Sequence, residues 1–141
     1  MSASIGIYAI APVRSSSAVF QFLARFAPER EEMTQQYEIP WSDDNPIVVF
    51  ESDADLIAHC EAHPLEPYVL SWRRKGMGDP SYVRVRFTDD ERLVLGLVVT
   101  SQAEKWQAEL LQEVGGQRAI VCSEEHPLSA LLNSEKTATY P

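Results

Sequence analysis

Cysteine is scarce in this chain: there are two, Cys60 and Cys122, far apart in sequence. That excludes the disulfide framework of small secreted domains and makes the reduced cytoplasm the expected location. No apolar run approaches the ~20 residues a bilayer-spanning helix requires, so no membrane association is expected. The opening "MSASIGIYAI" has no basic segment ahead of its short apolar run, so a secretory signal is not expected either. Positive charge is also in short supply, with 12 Lys and Arg against 21 Asp and Glu and a net charge of −9. Such a surface repels phosphates, which argues against direct nucleic-acid or anionic-membrane binding.

Catalytic motifs are missing as well. There is no Walker loop and no GxGxxG, and "GMGDP" at 76–80 precedes a strand, where it cannot cradle a phosphate at a helix start. Ser52 and Ser101 follow strands but lack the glycine frame of a nucleophile elbow. The carboxylate pairs Asp43–Asp44, Asp89–Asp90 and Glu124–Glu125 are sequence neighbours in turn-like contexts. Neighbouring side chains point apart more often than they converge, so a general acid–base pair is unsupported. A protein without enzymatic activity and without a cofactor is the expectation.

What the chain does have is segregated charge. Residues 1–72 carry eleven acids against Arg14, Arg25 and Arg30, a net of −8. Residues 73–92 carry six cations against four acids, a net of +2, and residues 93–141 return to −3. Within the basic island, "SYVRVRF" alternates without a break, placing Tyr82, Arg84 and Arg86 on one face of a strand and Val83, Val85 and Phe87 on the other. A neighbouring strand at 68–75 could add either Arg74 or the pair Arg73 and Lys75 to the arginine face. Arginine forks match carboxylate and phosphate geometry, so this face reads as an anion or acidic-partner site. The competing reading is that these arginines neutralise the protein's own acids across a solvated sheet face.

Periodicity orders the elements. "SIGIYAI" (4–10) reads as a strand, and the serines after it cap a helix over 17–26, where Val19, Phe20, Leu23 and Phe26 recur at helical spacing. The polar stretch 27–41 suits a second short helix starting at Pro28. "PIVVFES" (46–52) reads as a buried strand, followed by a helix that Ser52 caps and Pro64 ends. Segment 68–75 is a further strand, 81–87 and 92–99 form a hairpin across "TDDE", and Leu93–Val99 is central because both its parities are apolar. Ser101 and Glu104 form a capping box for the helix "AEKWQAELLQEV", which Gly115 and Gly116 end. "RAIVCS" (118–123) is a last strand, and "HPLSALLNS" suits a helical turn. The fold class is therefore α+β (mixed): a single sheet of about five to six strands with a central antiparallel hairpin, and helices packed on it. Residues 1–132 are expected to form one globular domain and 133–141 a flexible tail.

Two further groups of residues suggest chemistry. His59 and His63 share a helix face, and Cys122 with His126 would complete a four-ligand metal set if the last strand ended near that helix. "HCEAH" departs from the metalloprotease pattern, and both cysteines read better as small buried hydrophobes, so no metal is expected. Trp41 lies in the charged loop "IPWSDDNP", where with Asp43 and Asp44 it reads as an acidic-rimmed interface anchor or as a loop tryptophan folded onto the core. Trp72 and Trp106 fit strand and helix cores.

"WSDDNPIVVFESDADLIAHCEAHP" and "YVLSWRRKGMGDPSYVRVRFTDDERLVLGLVV" resemble, in their acidic single-domain style over roughly residues 40–114, the bacterial immunity proteins of polymorphic toxin systems. That resemblance implies a cytoplasmic inhibitor that binds one cognate toxin domain and occludes its active site; an acidic inhibitor suits a basic toxin. The expected function is accordingly a protein-binding module, with Trp41, Asp43, Asp44, Arg74, Arg84 and Arg86 as contact candidates. The alternative is a domain that binds or transforms a small anionic ligand through the arginine cluster.

Overall fold

Apolar alternation and helical amphipathicity find each other across one layer. In a computed structural model, residues 4–32, 37–39, 48–115 and 119–122 are described. The order is β1 (Ile5–Ile10), α1 (Ser16–Phe26), β2 (Arg30–Glu32), β3 (Tyr37–Ile39), β4 (Val48–Phe50), α2 (Asp53–Ala62), β5 (Tyr68–Arg74), β6 (Tyr82–Phe87), β7 (Leu93–Val99), α3 (Ala103–Val114) and β8 (Ala119–Cys122). Six strands form an antiparallel sheet in the order β2-β5-β6-β7-β1-β8, and β3 pairs with β4 in a separate two-stranded ribbon. The protein is thus mixed α+β, with the β6–β7 hairpin at the centre of the sheet and the helices packed on one face.

Register explains that packing. Across β5, β6 and β7, Leu70, Val85 and Leu95 stand opposite one another, as do Trp72, Val83 and Leu97. Ile7 and Ala9 of β1 continue the same rows. Onto this face fall Val19, Phe22, Leu23 and Phe26 from α1, Leu56, Ile57 and Cys60 from α2, and Leu110 from α3, all in one buried cluster. Each large side chain so enclosed contributes about 1.5–3 kcal/mol relative to exposure. All seven residues of β7 are buried, as its two-sided apolar sequence requires. Among the described residues, no helix is long and apolar enough to cross a membrane.

Several local readings change. The stretch after Pro28 is not helical where described: Arg30–Glu32 and Tyr37–Ile39 are strands. Edge pairing on β5 satisfies the backbone of "REE", overriding its weak strand propensity. β4 is no buried strand either; Val48 and Val49 are exposed in the ribbon. Ser15 and Ser52 do cap α1 and α2, accepting from the Ala18 and Asp55 amides at 3.1 and 3.2 Å. Ser101 does not cap α3. The Asp79 carboxylate takes the Thr100 and Ser101 amides, and the cap position passes to Gln102, left-handed at φ 57° and without a side-chain bond. Gly115 ends α3 at φ 72°, as the sequence indicates. The helical turn expected near Pro127 and the tail 133–141 lie outside the described residues.

Candidate interaction face

The second face of the sheet carries the arginines. Opposite Arg84 stand Ser71 on β5 and Gly96 on β7; opposite Arg86 stand Val69 and Val94. Arg73 pairs with Tyr82, and beyond β7 the row continues through Gly6, Tyr8 and Ile10 of β1 to Ile120 of β8. Among the described residues no helix lies on this face. The register therefore selects Arg73, and not Arg74, as the companion of Arg84 and Arg86. Arg74 turns to the other side, donating from Nε to the Pro80 carbonyl at 2.9 Å and from Nη2 to that of Met77 at 2.6 Å.

An aromatic floor supports the row. The Tyr8 ring lies flat over two glycines: a Cβ added at Gly6 or at Gly96 would come within 2.6 Å of it. Tyr8 is 5% exposed and Val94 2%, with Ile10 and Ile120 packed against them. The Tyr8 hydroxyl accepts from Arg84 Nη1 at 3.3 Å. Arg73 lies over the Tyr82 ring, 5.7 Å from its centroid. Arg73, Arg84 and Arg86 are all exposed, and among the described residues none has a carboxylate within ion-pairing distance. Among the described residues, then, no acid of the protein neutralises them across the strands. Even Glu31, in register with Arg73, forms no ion pair with it.

The remaining candidates are placed differently. Trp41, Asp43, Asp44 and His126 lie outside the described residues, and of Cys122 only its strand position is described. The imidazoles of His59 and His63 stack with centroids 4.1 Å apart; His59 Nε2 meets Glu66 Oε1 at 3.3 Å and His63 Nδ1 the His59 carbonyl at 2.8 Å. Cys122 sits in β8, an edge strand beside α3, whereas α2 lies against α1 and β4. Among the described residues no three His, Cys, Asp or Glu side chains are gathered as a metal would need. Cys60 is fully buried, and burial pushes its thiol up to about 12.

A cavity of about 710 Å³ opens elsewhere, between Pro28, Glu29, Arg30, Glu32, Asp53 and Lys75. Desolvation first, and then the neighbouring Asp53, raise the Glu32 carboxyl above the usual range. Asp53 also accepts from the indole nitrogen of Trp72 at 3.1 Å. Burial, with Glu32 and Asp53 nearby, raises the Tyr37 phenol too. Two cations and three acids face one another here, so the opening carries no strong field of either sign.

Sequence reading missed Arg14 altogether. Its guanidinium donates to five backbone carbonyls: Cys60, His63, Glu66, Thr88 and Arg92, at 2.7–3.2 Å. It also lies over the Phe87 ring at 5.0 Å, and desolvation lowers its pKa. No local pattern signals this, since every partner is at least 46 residues away. The floor under Arg84 was legible in part, because a glycine inside the apolar run 93–99 marks a close approach. Comparison with protein-family models, with curated proteins and with solved structures finds no match to the chain.

Proposed function

We propose that the chain is a non-enzymatic protein-binding module of the immunity type, which neutralises a bacterial toxin domain in the cytoplasm by laying its open sheet face over the toxin's active site. The observation that carries this reading is the exposure of Arg84 and Arg86 without a carboxylate partner among the described residues. Two residues apart on one strand, Arg84 and Arg86 leave the backbone about 6.6 Å apart on the same face, so both forks can reach one set of carboxylates. The buried Tyr8–Val94 floor gives the row a rigid backing, which lowers the ordering cost of association.

The reading is tested by pull-down of tagged protein from its native lysate at low and high salt, in parallel with the Arg84→Ala/Arg86→Ala double variant. One stoichiometric catalytic domain, inhibited by the wild type and released by the variant at unchanged melting temperature, is the expected result. Equal retention and equal inhibition by the variant would sink the face as the site. A small anionic ligand would engage the same forks, but they stand on a sheet surface, apart from the cavities beside Asp53, Phe22 and Leu65. A melting shift with a panel of phosphates and carboxylates, absent from the double variant, is the result that would favour it.

A further inference from the structure

The end of the sheet around Arg14 has features that the arginine face does not use. Five donors on one side chain hold three chain segments together: the approach to α1, the exit from α2, and the turn between β6 and β7. The guanidinium has five N–H groups, and that many carbonyl bonds leave the platform no slack. Thr88 locks the turn from within, its hydroxyl accepting from the Arg92 amide at 2.8 Å. From this fixed base two large aliphatic side chains project into solvent: Val13 at 63% and Leu65 at 64% exposure. Val13 adjoins Arg14 in sequence, and Leu65 lies between His63 and Glu66, whose carbonyls Arg14 holds.

A cavity of about 480 Å³ opens beside Leu65, bounded by Ala62, His63, Pro64, Glu66 and Glu91. Glu91 is held at φ 72°, a conformation that glycine adopts freely and a glutamate does not. A turn selected for stability alone would carry Gly or Asn there. The other charges of this end are largely committed: Asp90 to Arg92 at 2.6 Å, Glu66 to His59, and Glu61 to the Ser16 amide and hydroxyl. Asp89 and Glu91 remain exposed, with no ion pair among the described residues.

We infer that this end is a second docking surface, for a basic segment of a protein partner that sets an aliphatic side chain against Leu65 and a lysine or arginine against Glu91. Charge decides the occupant. An acidic peptide or an anionic lipid surface is repelled by Asp89, Glu91 and Glu66, and a second copy of this acidic end would repel the first. A purely apolar ligand would make no use of the exposed Glu91 carboxylate, whose charge also acts on the Arg14 guanidinium. The strain of Glu91 and the exposure of Leu65 then have one cause: both stand ready for a partner on a base that need not reorganise.

The test is an amide-shift titration of the full chain with the peptide Lys-Leu-Arg-Leu-Lys, and with its counterpart Glu-Leu-Glu-Leu-Glu, each at low and moderate salt. Shifts confined to Val13, His63–Glu66 and Thr88–Arg92, present with the basic peptide at low salt and absent with the acidic one, are expected. Leu65→Ser is expected to weaken binding by about fivefold or more at unchanged melting temperature. Glu91→Gly is expected to raise the melting temperature while weakening binding, a combination that a merely structural glutamate does not give. No shifts at low salt, shifts spread evenly over the acidic surface, or unchanged affinity in both variants would each overturn the inference. None of these outcomes touches the arginine face, so the two readings fail separately.

Discussion

The two faces of the sheet come from the same strands and the same alternation, yet they are completed differently. On one face Val83, Val85 and Phe87 meet helices and vanish from solvent. On the other, one residue away along β6, Arg84 and Arg86 stand exposed without a carboxylate partner among the described residues. Arg14 sharpens the contrast, because it is the arginine that the fold does use: each of its donors ends on a backbone carbonyl. An arginine embedded in the fold and an arginine left over by it have different consequences on removal. That difference separates structural from functional positions on physical grounds alone.

The largest effect is expected at Arg14. Arg14→Ala strands half-buried carbonyls after α2 and in the β6–β7 turn and should cost roughly 2–4 kcal/mol in urea unfolding. Arg14→Lys keeps the charge but offers three donors without the planar fork, and should recover less than half of the loss. Cys60 reports on the same knot, since its carbonyl is one of the acceptors. With the thiol raised to about 12 by burial, it should resist thiol reagents at pH 8 until the chain unfolds. A group whose folded pKa is raised stabilises the fold fully below its unfolded pKa, here the usual thiol value near 8.5. That contribution is lost as pH climbs toward 12, so the urea midpoint should fall over this range, and Cys60→Ala should flatten the fall. A Cys60 that reacts readily in the folded protein would refute its burial.

A smaller effect is expected beneath the arginines. Gly96→Ala drives a methyl to within 2.6 Å of the Tyr8 ring and should cost about 1–3 kcal/mol by overpacking. In a double-mutant cycle with Tyr8→Leu, the two changes should couple by about 1 kcal/mol. Additive losses would mean that the ring does not lie over Gly96. Helix caps come next. Ser52→Ala and Ser15→Ala should each lose about 1 kcal/mol. Ser101→Ala should stay within about 0.5 kcal/mol, because Asp79 and Gln102 have taken its place.

The serine comparison also shows what the sequence can and cannot disclose. Ser52 and Ser101 look alike locally, each after a strand with an acid three residues on. What separates them is Asp79, more than twenty residues from Ser101, whose carboxylate reaches that amide only once the loop before β6 is folded. Short-range signals held where nothing distant intervened: the parity of β6, the two-sided apolar run of β7, the serine caps of α1 and α2, and the glycine stop of α3. They failed where long-range pairing decided the outcome. β2 exists because β5 offers it an edge, and Arg73 replaces Arg74 on the face because of the β5–β6 register. The arginine face was therefore half legible, Arg84 and Arg86 from alternation and Arg73 as one of two alternatives. Arg14, whose partners are scattered through the chain, left no trace in its own neighbourhood.

The smallest stability effect is the one that bears most on function. Arg86→Ala should leave unfolding within about 0.5 kcal/mol of wild type, since no carboxylate partner among the described residues is lost with it. Arg84→Ala should do nearly the same, forfeiting one long bond to the Tyr8 hydroxyl. If either substitution instead costs several kcal/mol, the side chain belongs to the fold as Arg14 does, and its exposure is no guide to a partner. If both are silent in unfolding yet abolish capture of a toxin domain, the open face serves the partner and not the fold. Stability and binding, measured on the same two variants, therefore decide which of the two arginine roles this face has.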